Sequence, residues 1–273
     1  MSNLTQRVLT AIVGASIVIS AILYSEYTLL LLMLFISIMS LLEFYRLYEG
    51  NGVQPQKFFG ILIAISIFIS PLLNSLMQIP VNLVALVIFL PYVIFIRELY
   101  THSEKPFTNI GVTLLGVIYL AVPLFIFYLY SFQGTGPDAY HPKNILGFFF
   151  ILWSNDTGAY FVGRYFGKRK LFERISPKKT WEGFFGGLVV AFIVAFLVST
   201  GYTNLTRIQW LVIALIIVVT GTLGDLVESM FKRSIHIKDS GSILPGHGGF
   251  LDRFDGLYIS APFVFVYLLL SGN

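Results

Sequence analysis

The sequence contains no cysteine. Disulfides, thiolate metal sites and a cysteine nucleophile are therefore excluded. Charge is scarce as well: Asp, Glu, Lys and Arg make up 12% of the 273 residues, and the formal net charge is +4. A nucleic-acid binder needs its cations on a water-facing surface, and a chain so poor in charge has little of one, so no nucleic-acid partner is expected. No internal repeat or low-complexity tract is evident. The first apolar stretch lacks an Ala-x-Ala-type cleavage site, so it is expected to be retained as a helix rather than removed as a signal.

What the chain has instead is apolar sequence, 56% of its residues. A hydrocarbon core about 30 Å thick is crossed by roughly 20 apolar helical residues. Candidate spans lie at about 8–24, 27–44, 58–77, 80–96, 110–131, 144–162, 182–199, 207–223 and 257–270, the second and last being short. The expected fold class is all-α, a polytopic integral membrane helical bundle of about nine transmembrane helices. Charge supports that count. When alternate connections are assigned to one side, only Lys143 and Arg207 of the 18 basic residues fall on the other. The positive-inside rule then puts the N-terminus and both large basic segments in the cytoplasm, and the C-terminus outside, at the cell (inner) membrane. Residues 1–140 read as helices with short links, serving as scaffold, lipid access or subunit contact. Residues 141–273 hold nearly all the polar clusters and read as the catalytic region.

Three polar clusters share the expected cytoplasmic face. Ser154-Asn155-Asp156-Thr157 lies within the sixth span, with Asp156 roughly 10 Å deep at a rise of about 1.5 Å per residue. An acid at that depth faces a bundle interior or a wet cavity. It serves either a helix–helix polar contact or a ligand or ion site. The second cluster runs from Gly163-Arg164 to Lys170 and on through Ser176-Pro177-Lys178-Lys179-Thr180. Ser176 suits a helix N-cap with Pro177 at the first helical position, which would set Lys178 and Lys179 where phosphate binds. Basic juxtamembrane loops also attract anionic headgroups with no further role.

The third cluster begins on the eighth span. Asp225, Glu228 or Ser229, and Lys232 recur at helical spacing and share a face, whereas Leu223, Leu226, Val227 and Met230 occupy others. Arg233, Lys238-Asp239, Gly241, Pro245-Gly246, His247-Gly248-Gly249, Asp252, Arg253 and Asp255 come next along the chain. Carboxylates together with phosphate oxygens suit Mg²⁺, and glycines let backbone N–H groups approach phosphate. An ordinary charged loop with turn glycines is the plainer alternative. His247 is better suited to phosphate or nucleotide than to Mg²⁺, which disfavours imidazole. His102, His141 and His236 read as interfacial, and Trp181 and Tyr24 as interface anchors.

Ser229 through Asp255 resembles the signature of the phosphatidate cytidylyltransferases, also called CDP-diacylglycerol synthases. The matching positions are Ser229, Lys232-Arg233, Lys238-Asp239, Gly241, Leu244-Pro245, His247-Gly248-Gly249 and Asp252-Arg253-x-Asp255. Asp156, Gly163-Arg164 and Ser176 to Thr180 resemble the family's second polar region. The resemblance is specific over about the last 120 residues; the first half is similar only in being apolar and multi-spanning.

That resemblance implies transfer of a cytidylyl group from CTP to phosphatidic acid in the bilayer, giving CDP-diacylglycerol and pyrophosphate with Mg²⁺, in phospholipid biosynthesis. It implies Asp225 and Asp252 as the primary metal carboxylates, with Asp156 and Asp255 as outer groups or ligands of a second cation. Lys232, Arg233, Lys238 and Arg253 are the candidates for phosphate contacts, assisted by Lys178 and Lys179. Asp239 and Ser229 complete the expected site, and His247, Gly248 and Gly249 would bind nucleotide. A homodimer is the expected assembly. Two rival readings use the same residues. One is a CTP-dependent polyprenol or lipid kinase, which would release CDP. The other is an ion-coupled transporter with Asp156 and Asp225 as coupling acids.

Overall fold

The computed structural model describes residues 3–49, 52–77, 86–132, 139–202, 204–237, 240–241 and 248–272. Nine helices run through them: α1 (Asn3–Tyr24), α2 (Glu26–Glu49), α3 (Lys57–Met77), α4 (Leu86–Leu99), α5 (Pro106–Leu129), α6 (Pro142–Phe166), α7 (Trp181–Gly201), α8 (Arg207–Ser234) and α9 (Leu251–Leu270). Helix α5 includes a π-helical stretch at Val117–Ala121. Six of the nine, α2 and α5 to α9, are long and apolar enough to cross a bilayer, and the chain is a multi-pass membrane protein. The fourth expected span, 80–96, lies partly outside the described residues, and the helix found there is Leu86–Leu99.

Several helices outrun their expected spans at the polar end. Helix α8 continues eleven residues past Leu223 to Ser234, and α9 starts six residues before Leu257, at Leu251. Backbone hydrogen bonding carries a helix beyond its apolar stretch until a terminator intervenes. For α8 the terminator is a turn in which His236 adopts φ 58° and the Ile237 N–H returns to the Lys232 carbonyl at 2.9 Å. Asp225, Glu228, Ser229, Asp252 and Asp255 therefore all sit on helices, not in a loop.

One local expectation is corrected. Ser176 is not an N-cap. Ser176–Thr180 forms strand β2, which pairs antiparallel with β1 (Lys170–Phe172), Lys170 opposite Thr180 and Phe172 opposite Ser176. Helix α7 starts only at Trp181, capped by the Thr180 hydroxyl, which accepts from the Gly183 N–H at 3.2 Å. Thr180 wins because the preceding residues have partners on β1, and because Trp181 N–H donates to the Arg169 carbonyl at 2.9 Å. Glu182, on the first turn of α7, accepts from the Lys168 and Arg169 N–H groups at 3.0 and 3.1 Å, closing the hairpin base.

The chain forms two compact units that interleave along the sequence. The first comprises Met1–Gly14, Tyr27–Phe125 and Asp239–Arg253; the second comprises Ala15–Glu26, Ile126–Lys238 and Phe254–Asn273. In the first unit, Tyr45 is fully buried against Gly60 and Gly116, where any side chain would overlap its ring, and its hydroxyl donates to the Thr113 carbonyl at 2.8 Å. Beside it lies a buried amide knot. Gln56 Nε2 donates to Glu98 Oε2 at 2.5 Å, Asn109 Nδ2 donates to Glu98 Oε1 at 2.8 Å, and Gln54 N–H donates to Asn109 Oδ1 at 2.8 Å.

The second unit is built on close helix pairs. A Cβ at Gly183 of α7 would lie 2.9 Å from the Ala159 carbonyl of α6, so only glycine lets these backbones approach. Helices α8 and α9 meet likewise at Gly224, where a Cβ would lie 2.6 Å from the Asp255 carbonyl. The α8–α9 contact sets Asp225 beside Asp255.

Candidate functional site

In the second unit the site is built from the polar flank of α8. Leu223, Val227 and Met230 are exposed on the outer face, whereas Glu228 is buried and Asp225 and Ser229 are half-buried. Asp225 is the hub. Its Oδ2 receives the Lys179 ammonium of β2 at 2.7 Å, and its Oδ1 accepts from the Ser229 hydroxyl at 3.3 Å. Asp255 of α9 lies within electrostatic reach of Asp225, Asp156 and Lys179, and its Oδ1 accepts from the Gly256 N–H at 2.7 Å. Asp156 is exposed on α6. Asp225 and Asp255, on two helices, thus share Lys179, and Asp156 of a third helix lies within electrostatic reach of Asp255.

The lysine reaches them because residues 176–180 are extended. Successive side chains on a strand point to opposite faces. Lys179 turns to Asp225, and its neighbour Lys178 stands exposed. Of this pair the structure brings only Lys179 to the carboxylates. The side chains of Lys179 and Asp225 are 25% and 39% exposed. A pair this open contributes about 1 kcal/mol or less to folding, so stability does not account for the cluster.

Further along α8, Lys232 pairs with Glu228 one turn back at 2.8 Å, and Arg233 donates from Nη1 to the Ile237 carbonyl at 3.0 Å. Both cations of the expected Lys232-Arg233 pair have intrachain partners at the end of this helix. Lys238, Asp239 and His247 lie outside the described residues.

The first unit holds the other polar assembly. Gly248 has φ +83°, a left-handed conformation suited to glycine. Asp252, on the first turn of α9, accepts the N–H groups of Ser240 and Gly249 on Oδ2, each at 3.1 Å. It thus ties Ser240 to Gly249. Arg253 is exposed. Glu43 of α2 joins them unforeseen: it is 3% exposed, Oε1 accepts from the Ser240 hydroxyl at 2.9 Å, and Oε2 accepts from the Leu251 N–H at 3.1 Å. The sequence did carry a signal for it, since a carboxylate within an apolar span is costly without a buried partner. Its partners lie far along the chain, which hid the role.

Among the described residues, no group of three or more His, Cys, Asp or Glu converges tightly enough to hold a metal ion by itself. The donors gathered at Asp225 are nevertheless all hard oxygens. Mg²⁺ commonly takes only one or two protein carboxylates and completes its shell with waters and substrate phosphates. The residues present fit that mode.

Residues 5–271 match the cytidylyltransferase family. The chain belongs to that family. A phosphatidate cytidylyltransferase of Bacillus subtilis (strain 168) is 33% identical over 277 residues, covering 99% of both chains. One from Staphylococcus epidermidis (strain RP62A) is 35% identical over 266 residues, 96% of this chain and 98% of the relative. One from Staphylococcus aureus (strain COL) is 34% identical over 268 residues, 97% and 99% of the two. The family resemblance read from about the last 120 residues is therefore borne out, and the match extends over the apolar first half.

Proposed function

We propose that this protein transfers the cytidylyl group of CTP to phosphatidic acid, making CDP-diacylglycerol and pyrophosphate. The observation that carries the reading is near-full-length similarity to relatives named for this activity, in a chain where Asp225 and Asp255 share Lys179 and Asp156 lies within electrostatic reach of Asp255. A phosphate oxygen of the lipid attacks the α-phosphorus of CTP. The new P–O bond forms as the bond to the β-phosphate bridging oxygen breaks, and pyrophosphate leaves with that electron pair. A phosphate monoester is largely dianionic at neutral pH, its second pKa being about 6. The nucleophile needs no strong general base. What the protein supplies is positioning and relief of repulsion between two anions.

Lys179, held at Asp225, is aimed where phosphate charge would accumulate. Lys232, Arg233, Lys238 and Arg253, with Lys178, are the further cations proposed for the phosphates. Gly248 and Gly249 offer backbone to the nucleotide beside His247. Asp225 and Asp252 are the carboxylates proposed to hold Mg²⁺, with Asp156 and Asp255 as outer groups or ligands of a second cation. When bound, Mg²⁺ would neutralise triphosphate charge and favour departure of pyrophosphate. The distribution of Lys and Arg supports a cytoplasmic active site and N-terminus in the cell membrane, with the C-terminus outside. A homodimer is the proposed assembly.

The test is a pyrophosphate assay on the purified protein in detergent micelles with CTP and phosphatidic acid. CDP-diacylglycerol and pyrophosphate are expected in equal amounts, with loss of both in EDTA and recovery on added Mg²⁺. Release of CDP with a phosphorylated lipid would assign a kinase instead, and absence of nucleotide turnover would overturn the reading.

A further inference from the structure

A carboxylate on an apolar helix needs an account, and Glu43 has an uncommon one. It lies in α2, is almost fully buried, and among the described residues no cation pairs with it. Two hydrogen bonds hold it instead, one to each oxygen, and they come from two places in the signature: the Ser240 hydroxyl and the Leu251 N–H. Leu251 is the first residue of α9. Its N–H is one of the orphan donors at a helix start, where a carboxylate is electrostatically favoured. Gly241 and Gly249 close around the same group, and a Cβ on either would overlap Glu43 Oε1. Two donors and two glycines of the signature thus converge on one acid from the N-terminal half.

The next link is Asp252. It accepts from the Ser240 and Gly249 N–H groups. Ser240 is therefore held twice, through its hydroxyl by Glu43 and through its N–H by Asp252. Leu251, pinned by Glu43, is the residue immediately before Asp252. Moving the Glu43 carboxylate would release Ser240 and the first turn of the helix that aims Asp252.

We propose that Glu43 is a positioning residue for cytidylyl transfer, holding Ser240 and the first turn of α9, and through them Asp252 and the Gly249 backbone, in the arrangement that receives the CTP phosphates. The proposal rests on the assignment of cytidylyl transfer to this chain. It gives α2 a part in nucleotide binding, whereas the acyl chains and phosphate of the lipid substrate are not expected to depend on it.

The test uses the full-length protein in micelles and compares wild type with Glu43→Gln, Ser240→Ala and the double variant. Glu43→Gln preserves size but turns one acceptor into a donor facing an N–H or a hydroxyl. A lost hydrogen bond to a charged group corresponds to about 10- to 100-fold. The KM for CTP is expected to rise by that order in Glu43→Gln, with the KM for phosphatidic acid within about twofold of wild type. The double variant should be no worse than the weaker single, as for residues acting through one contact. Hydrogen–deuterium exchange should quicken at the Ser240 and Leu251 amides and stay unchanged around Lys179.

Three results would overturn the role: an unchanged KM for CTP, equal losses toward both substrates that track loss of folded protein, or single-variant losses that multiply in the double. If wild type made no CDP-diacylglycerol, the functional reading would fall by itself. The exchange arm would then still decide whether Glu43 pins Ser240 and Leu251, and unaltered exchange would sink the proposal.

Discussion

Lys179 and Asp225 show how a single contact can be weighed. Their 2.7 Å pair is partly open to solvent and so adds little to folding. Removing either charge should leave the protein folded. Asp225→Asn or Lys179→Met is expected to lower turnover of labelled CTP by about 100-fold, the scale for losing one group that stabilises developing charge. The melting temperature in detergent should stay near wild type. Normal turnover by either purified variant would remove that residue from the site. Thr180 makes the complementary case. Its cap on α7 contributes about 1 kcal/mol, so Thr180→Ala should act mainly on stability, lowering the melting point while the KM for CTP holds. These roles were unequally legible. Asp225 announced itself by sharing a helical face with Ser229 and Lys232. Thr180 was hidden by Ser176-Pro177, which carries a stronger cap signature but is drawn into a strand by residues 170–172.

Helices and their seams behave differently from single contacts. The apolar runs were readable because crossing a bilayer demands about 20 apolar residues in a row. Where they end was not, since composition does not mark how far a helix runs past its apolar stretch: α8 continues to Ser234 and α9 already begins at Leu251. The seams were also hidden. Glycines in apolar helices pack backbones together, yet which partner each meets depends on tertiary structure. Gly187 of α7 is one such position: a Cβ there would lie 2.9 Å from the Asn155 main-chain oxygen of α6. Gly187→Val should therefore overpack the seam and destabilise by about 1–3 kcal/mol, read as a lowered melting temperature in detergent. Gly14→Ala is the control, because nothing lies within 4 Å of a Cβ at that site in α1, and it should be neutral or slightly stabilising. Equal behaviour of the two would refute close packing at Gly187.

For the whole molecule, the decisive prediction concerns sidedness. An odd number of crossings puts the two chain ends on opposite sides. A reporter inserted beside Arg169, in the exposed hairpin base, should read cytoplasmic, and one fused to the C-terminus should read extracytoplasmic. Agreement between the two would refute nine crossings. The helix count was legible because apolar length and basic-residue alternation are independent signals that point the same way. The grouping into two interleaved units was not, since Asp239–Arg253 packs with α2, and no local pattern reveals a partner so distant in sequence.

Those distances also have a consequence in time. Glu98 meets Gln56 and Asn109 across 42 and 11 residues, so its amide knot can close while the first half of the chain is being inserted. Glu43 must wait for Ser240 and Leu251, made 197 and 208 residues later. At a synthesis rate of about 5–20 residues per second, that delay is on the order of 10–40 seconds. The contacts of Glu43 with Ser240 and Leu251 are thus among the last to form, and a nascent chain stalled in its first two hundred residues holds Glu43 without either partner.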